Sequence, residues 1–264
     1  LAIAAGELRV RIEDQGAVYP LLVDPWIATE EAKLTASDAA ADDQFGGAVA
    51  VSGDTAVVGA EWDDLAVGNN AGSAYVFVRS GTTWSEEQKV TASDAAASDH
   101  FGVSVAIWGD TIVVGADHDN HAGGSDAGSA YVFVQGGTTW SEEQKLTAGD
   151  AAGGDLFGTS VAIDGDTAVV GSPLDGTAAG SDAGSAYVFT RSGTAWSEEQ
   201  KLTAGDAAPS DVFGWSVAVS GDTAVVGAYG DDILSGVNAG AAYAFTRVGS
   251  LWSEEQKLVA SNPQ

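Results

Sequence analysis

The sequence predicts an all-β propeller built from four copies of one four-stranded blade, and three observations carry that reading. Lys33, Lys89, Lys145, Lys201 and Lys257 recur every 56 residues. The first four each open one pattern, K-[LV]-T-A-x-D-A-A-x-x-D-x-F-G-x-[AS]-V-A-[VI]-x-G-D-T-x-V-V-G-[AS], followed by a variable Asp-rich stretch, A-G-[AS]-A-Y-[VA]-F and W-S-E-E-Q. Tandem copies of this size stack on one another, because no single unit can bury its own faces. Second, with 35 glycines and no sustained 3.6-residue period, helix-pair repeats are excluded. Third, apolar sequence is densest early in each unit and polarity rises towards its end, as in a blade running from a buried centre to an exposed rim.

Within the first unit, FGGAVAVSGDTAVVGA holds two β-branched segments around a Gly-Asp turn, the signal of a hairpin. Strand A is expected over residues 45–52 and strand B over 55–60. GSAYVFVRS then sets Tyr75 and Phe77 on one face with period two, giving strand C. The Gly-containing turn SGTTW leads into strand D, residues 84–92. The units run 33–88, 89–144, 145–200 and 201–256, with a closing strand over 257–264. Val49, Val58, Tyr75, Phe77 and their equivalents are expected to form the core between blades.

Residues 1–32 form a separate N-terminal region. ELRVRIEDQGAVYPLLVDP reads as a hairpin of residues 7–12 and 17–23 turning at Asp14-Gln15-Gly16, and residues 27–36 read as a further D-like strand. That strand is surplus to four complete blades. A degenerate three-stranded fifth blade accommodates it; a tail on a four-blade ring and a strand donated to a neighbouring molecule are the alternatives, since unpaired edges invite pairing. A start at Leu1 without methionine reads as a processed piece of a longer product.

The formal charge is -28, from 38 acidic and 10 basic side chains. Such a field repels phosphate backbones, so nucleic acid is not an expected partner; cations, basic partners or a high-salt setting fit better. The absence of Cys leaves no disulfide framework. No apolar run approaches the ~18 residues of a membrane span, so no membrane insertion is expected.

Phe45-Gly46, Phe101-Gly102, Phe157-Gly158 and Phe213-Gly214, each followed about a dozen residues later by V-V-G-[AS], resemble the FG-GAP repeats of integrin-α-type β-propellers. The resemblance implies blades arranged in a ring, and calcium held in several blades by a D-x-D-x-D-G loop between strands A and B. Here those connections are only S-G-D, W-G-D, D-G-D and S-G-D, too short to give three or more oxygen ligands. Calcium is therefore not expected to be required, and the B–C loops are the remaining place for it.

Asp54, Asp110, Asp166 and Asp222 sit in the A–B turns, where Asp bonds nearby backbone amides. Asp38, Asp94, Asp150 and Asp206, with Asp43, Asp99, Asp155 and Asp211, lie in the linkers between blades, where capping is expected. The B–C loops vary, so they are the place to look for function. Asp117, Asp119 and Asp126, with His121, could assemble hard oxygen ligands for a metal. Asp63 with Asp64, and Asp231 with Asp232, supply similar pairs. His118 and His121 are three apart, but a zinc site lacks a third clustered His or a Cys; His100 is expected to pack or cap at a strand entrance. Trp62, Trp108 and Trp215 occur once each. Trp62 and Trp215 are placed on the face that FG-GAP propellers use for ligands, and Trp108 on the opposite one.

No G-x-S-x-G elbow, phosphate-cradling loop or nucleotide fingerprint is present. The expected function is a non-catalytic extracellular or cell-surface scaffold that presents its B–C and D–A loops to a protein or glycan, with Trp62, Asp63, Asp64, His118, His121, Trp215, Asp231 and Asp232 as ligand-binding candidates. A structural subunit that self-associates through N-terminal strands is the second expectation, and a polysaccharide-active enzyme the third.

Overall fold

The computed structural model describes residues 2–4, 7–9, 31–232 and 238–261. The chain divides into two units, Leu1–Lys33 and Leu34–Gln264. In the first, β1 (Ala2–Ala4) pairs antiparallel with β2 (Glu7–Arg9), Ala4 opposite Glu7. Residues 7–9 were expected to pair with residues 17–23. Their observed partner lies upstream, across a two-residue connection containing Gly, the composition short hairpins favour. The expected strand at 17–23, its turn and the fifth blade rest on residues outside those described.

The second unit consists of four antiparallel sheets in chain order. Blade 1 is β3 (Val49–Ser52), β4 (Thr55–Ala60), β5 (Ser73–Ser80) and β6 (Thr83–Val90). Blade 2 is β7 (Ser104–Trp108), β8 (Thr111–Ala116), β9 (Ser129–Gly136) and β10 (Thr139–Leu146). Blade 3 is β11 (Ser160–Asp164), β12 (Thr167–Ser172), β13 (Ser185–Ser192) and β14 (Ala195–Leu202). Blade 4 is β15 (Phe213–Ser220), β16 (Thr223–Ala228), β17 (Ala241–Val248) and β18 (Leu251–Leu258). Each sheet keeps the strand order A-B-C-D, and the described residues contain no helix. Strand A begins later than expected in the first three blades. There the Phe-Gly is spent on a turn; Gly46, Gly102 and Gly158 hold φ of 97°, as does Gly214 within β15, a conformation that suits glycine.

Cores form between blades. Val57, Ala74, Val76 and Val90 of blade 1 pack on Phe101, Val105, Ile107, Ile112, Val114, Tyr131, Phe133 and Trp140 of blade 2, and equivalent residues join blade 2 to 3 and blade 3 to 4. Phe101 meets Tyr131 and Phe133 edge-on, with ring centres 5.5 and 5.9 Å apart. The W-S-E-E-Q segment adds a polar clasp: Gln88 donates to the Trp140 carbonyl and accepts from its N–H, each at 2.8 Å, while Trp140 Nε1 donates to Glu87 at 3.0 Å.

Two expectations about blade 1 are corrected. Val49 is not core but 70% exposed, and among the described residues no blade packs on it as blade 1 packs on Val105. Residues 31–36, the described part of the D-like strand 27–36, have no strand pairing; Leu34 and Ala36 instead pack on Val58, Tyr75 and Phe77, the place that Val90 and Ala92 take on blade 2.

Candidate functional site

The recurrent carboxylates are committed to holding the blades. Asp63 is buried and accepts bonds from Ser73 and Tyr75 while pairing with Lys89 at 2.5 Å. Lys89 and Tyr75 also reach Asp38, at 2.7 Å each. Burial alone would lower the Lys89 pKa, but the bonds to Asp38 and Asp63 outweigh it and hold the ammonium above its ordinary value. Burial raises the Tyr75 hydroxyl to about 12. The unit recurs around Asp119, Asp175 and Asp231, paired with Lys145, Lys201 and Lys257. Asp43, Asp99, Asp155 and Asp211 each accept the N–H three residues upstream at 2.6 Å, closing the linker turn. In the A–B turns the bond differs from expectation: Asp54, Asp166 and Asp222 take Arg79, Arg191 and Arg247. Turns this short, with their carboxylates engaged by guanidinium groups, do not fit the family's calcium loop.

The remaining B–C candidates are spread out. Asp64 and Asp232 accept loop N–H groups from Asn70 and Asn238. His121 folds back on its own loop, its Nε2 3.0 Å from the Gly128 carbonyl and its Nδ1 accepting the Gly123 N–H. Asp119 is held by Ser129 and Lys145, and Asp126 turns the loop at φ 52°.

One cluster does assemble, around the buried Asp117. It lies just past the end of β8, where the chain leaves the sheet, and the linker entering β7 brings His100 beside it. His118 Nδ1 lies 2.8 Å and His100 Nδ1 3.8 Å from Asp117 Oδ1, and the two rings are 4.3 Å apart. Thr159 of blade 3 donates to the Leu156 carbonyl at 2.8 Å, with its Oγ1 3.4 Å from Asp117 Oδ2, and Trp62 of blade 1 lies 6.5 Å from the His100 ring. The hydrogen bond to Asp117 raises the His118 pKa despite burial. Burial, then the neighbouring His118, lowers that of His100. Burial, with repulsion from Asp117, raises Glu61.

His100, Asp117 and His118 each place one ligand atom within 4.8 Å of the others, the one such group of three among the described residues. Two imidazoles and a carboxylate with one position left open suit zinc. As a hydrolytic relay the group is miswired, because the Thr159 hydroxyl donates to the Leu156 carbonyl and lies beside Asp117, not beside a histidine.

His100, Glu61, Thr159 and Tyr229 were not among the ligand-binding or metal candidates chosen from sequence. The signal that finds them is a comparison of copies column by column. One column reads Gln44, His100, Leu156, Val212; another Gly47, Val103, Thr159, Trp215; the next two Glu61, Asp117, Pro173, Tyr229 and Trp62, His118, Leu174, Gly230. All four columns fall at the end of the strands where A begins and B finishes. On blade 4 they bring Trp215 edge-on to Tyr229, ring centres 4.9 Å apart. Trp108, the last residue of β7, is exposed at the other end, as expected.

The profile of the FG-GAP repeat matches residues 28–77, 84–133, 140–189 and 196–245. The chain belongs to the FG-GAP repeat family. Among solved structures, the FG-GAP chain is similar to one described as a 6-phosphogluconolactonase from Bacteroides uniformis, with a TM-score of 0.51 and 13% identity over 82% of this chain. The match spans 57% of that chain, so it shows the fold alone. No curated protein matches. No helix among the described residues is long and apolar enough to cross a membrane.

Proposed function

We propose that this FG-GAP propeller is a non-catalytic extracellular binding module whose ligand face is the strand end bearing Trp62, His100, Asp117, His118, Trp215 and Tyr229. One observation carries the reading: the residues that differ between otherwise repeated blades converge on that end, while the constant carboxylates are consumed by Lys, Tyr, Ser and Arg. Exposed aromatic groups beside a His-carboxylate group suit a glycan or a basic protein segment. Zinc held by His100, Asp117 and His118 would give the face a cation that such a ligand's oxygen atoms could reach.

Tryptophan fluorescence tests this, with soluble neutral and amino-sugar oligosaccharides and a lysine-rich peptide as probes, each with and without zinc chloride. A saturable change is expected that is lost in a Trp62→Ala, Trp215→Ala double variant and retained in Trp108→Ala. Calorimetric zinc binding is expected in the wild type and absent in His118→Ala. Binding that depends on Trp108 instead, or turnover of a sugar lactone or polysaccharide, would overturn the reading.

A further inference from the structure

We propose that the hairpin end joining β7 to β8 is an additional binding site, at the end of blade 2 opposite the ligand face, and that it takes an arginine side chain from a basic protein segment. The other blades show how this turn is completed. In blades 1, 3 and 4 the turn carboxylate, Asp54, Asp166 or Asp222, accepts from Nε of Arg79, Arg191 or Arg247 at 2.8, 2.7 and 2.8 Å. Each guanidinium also lies over a tryptophan, 5.5, 5.3 and 5.1 Å from the ring centres of Trp84, Trp196 and Trp252. Blade 2 carries Gln135 in that column, and its amide turns to Glu87 at 3.3 Å. The backbone is unchanged, since the Asp110 carbonyl accepts the Gln135 N–H at 2.9 Å as the Asp166 carbonyl accepts that of Arg191. Asp110 is exposed, and no side chain among the described residues bonds to its carboxylate.

A second column departs at the same place. The Gly109 N–H is capped by Ser52 Oγ at 3.2 Å and the Gly221 N–H by Asp164 Oδ2 at 2.5 Å, in both cases from the blade before and 57 residues upstream. Gly165 stands in that register to Trp108, whose indole offers no acceptor. Strand β11 packs beside β7, with Ala106 against the core that holds Val161 and Ile163, so the indole and the uncapped turn belong to adjacent strands. Trp108 is 46% exposed. Blade 2 thus presents a carboxylate without its guanidinium, an open indole face and, from the next turn, a backbone donor.

An arginine uses all three. Its planar fork binds a carboxylate with two parallel bonds and its face stacks on an indole, whereas the compact lysine ammonium does neither. The carbonyl of the segment that carries it accepts from Gly165. A net charge of -28 draws basic segments towards the chain and turns acidic ones away. A sugar ring would also stack on Trp108, but the group with which this turn is completed three times in the same molecule is a guanidinium. Every residue of the site lies inside the array, in blades 2 and 3, and none belongs to the ligand face.

Calorimetry and amide NMR spectra test this with three blocked peptides: Gly-Arg-Gly-Arg-Gly, its lysine counterpart, and its citrulline counterpart, which keeps the shape of arginine without the charge. Salt at ~0.15 M screens diffuse attraction to the acidic chain, and the Trp62→Ala, Trp215→Ala double variant serves as background, so that this site and the ligand face fail separately. The arginine peptide is expected to saturate and to shift the amide signals of Gly109, Asp110 and Gly165, with the lysine peptide several-fold weaker and the citrulline peptide inert. Trp108→Ser, which installs the residue of blades 1 and 4, is expected to weaken binding several-fold. Gln135→Arg supplies the internal guanidinium of the other three blades and is expected to abolish binding. Both substitutions use residues that the other blades already carry, and a cooperative melt checks that each variant is folded. An arginine peptide that does not bind, that binds no better than its lysine or citrulline counterpart, or that is indifferent to Gln135→Arg would overturn the proposal.

Discussion

Leu202 and Leu258 close the same strand in blades 3 and 4, each after Ser-Glu-Glu-Gln-Lys, yet Leu202 is 2% exposed and Leu258 42%. Leu202 lies in the core shared with blade 4, and Leu258 borders an open cleft. Val105 and Val49 differ in the same way at the leading faces of blades 2 and 1. Within a blade the ladders, the Phe-Gly turn and the Asp-Lys-Tyr unit are alike, so the difference comes from neighbours alone. Stability in such an array is a sum of nearly equal blades and the interfaces between them, and among the described residues no further blade faces Val49 or Leu258.

Truncating matched residues breaks this comparison if it is wrong. Phe157→Ala removes a fully buried ring from the interface of blades 2 and 3, and a loss of about 3–5 kcal/mol is expected from denaturant unfolding. Phe45→Ala, at a ring only partly buried, is expected to cost less than half as much. Equal losses would place blade 1 in the same environment as blade 3.

A smaller contrast is expected along strand D. Leu202→Ala should cost about 2–4 kcal/mol, and Leu258→Ala less than about 0.5 kcal/mol in dilute protein, as for an exposed side chain.

The smallest effect concerns pH. Asp99 is buried in the linker that packs against blade 1, with Oδ1 unpartnered, and burial raises its pKa to about 6. A carboxyl raised in the folded state favours folding below its unfolded value, near 3.8, and loses that contribution as pH rises through about 6. Asp99→Asn is therefore expected to flatten the stability profile between about pH 4 and 6. Thermal melts across that range check it, and an unchanged slope would show that Asp99 does not titrate there.

Much of this was legible because the sequence states it four times. Strand B was placed at residues 55–60, as observed, and the A-B-C-D order followed from period-two patterning and Gly-Asp turns. Val49 was misjudged because its pattern equals that of Val105; a residue cannot report whether a neighbouring blade exists. The pairing of residues 7–9 with residues 2–4 had no signal in the sequence, because three-residue strands are too short for a pattern to choose a partner. His100 joined the cluster only in three dimensions, since a linker and the end of another strand bring it to Asp117, seventeen positions away.

The Gln-to-Trp clasp and the packed Phe-Gly turn recur at three interfaces with the same chemistry, so neither carries an address. Blade 3 could receive blade 2 or blade 4 of any copy equally well; what enforces the correct order is the tether. Residues 91–103 join β6 to β7 and hold the next Phe-Gly turn against the preceding blade, so the local partner outcompetes every distant one by effective concentration. A chain of this kind is sorted by connectivity during folding. Lengthening one linker with a flexible insert would leave every contact intact and still erase the only label that tells one blade from the next, turning an ordered stack into exchanged and branched ones.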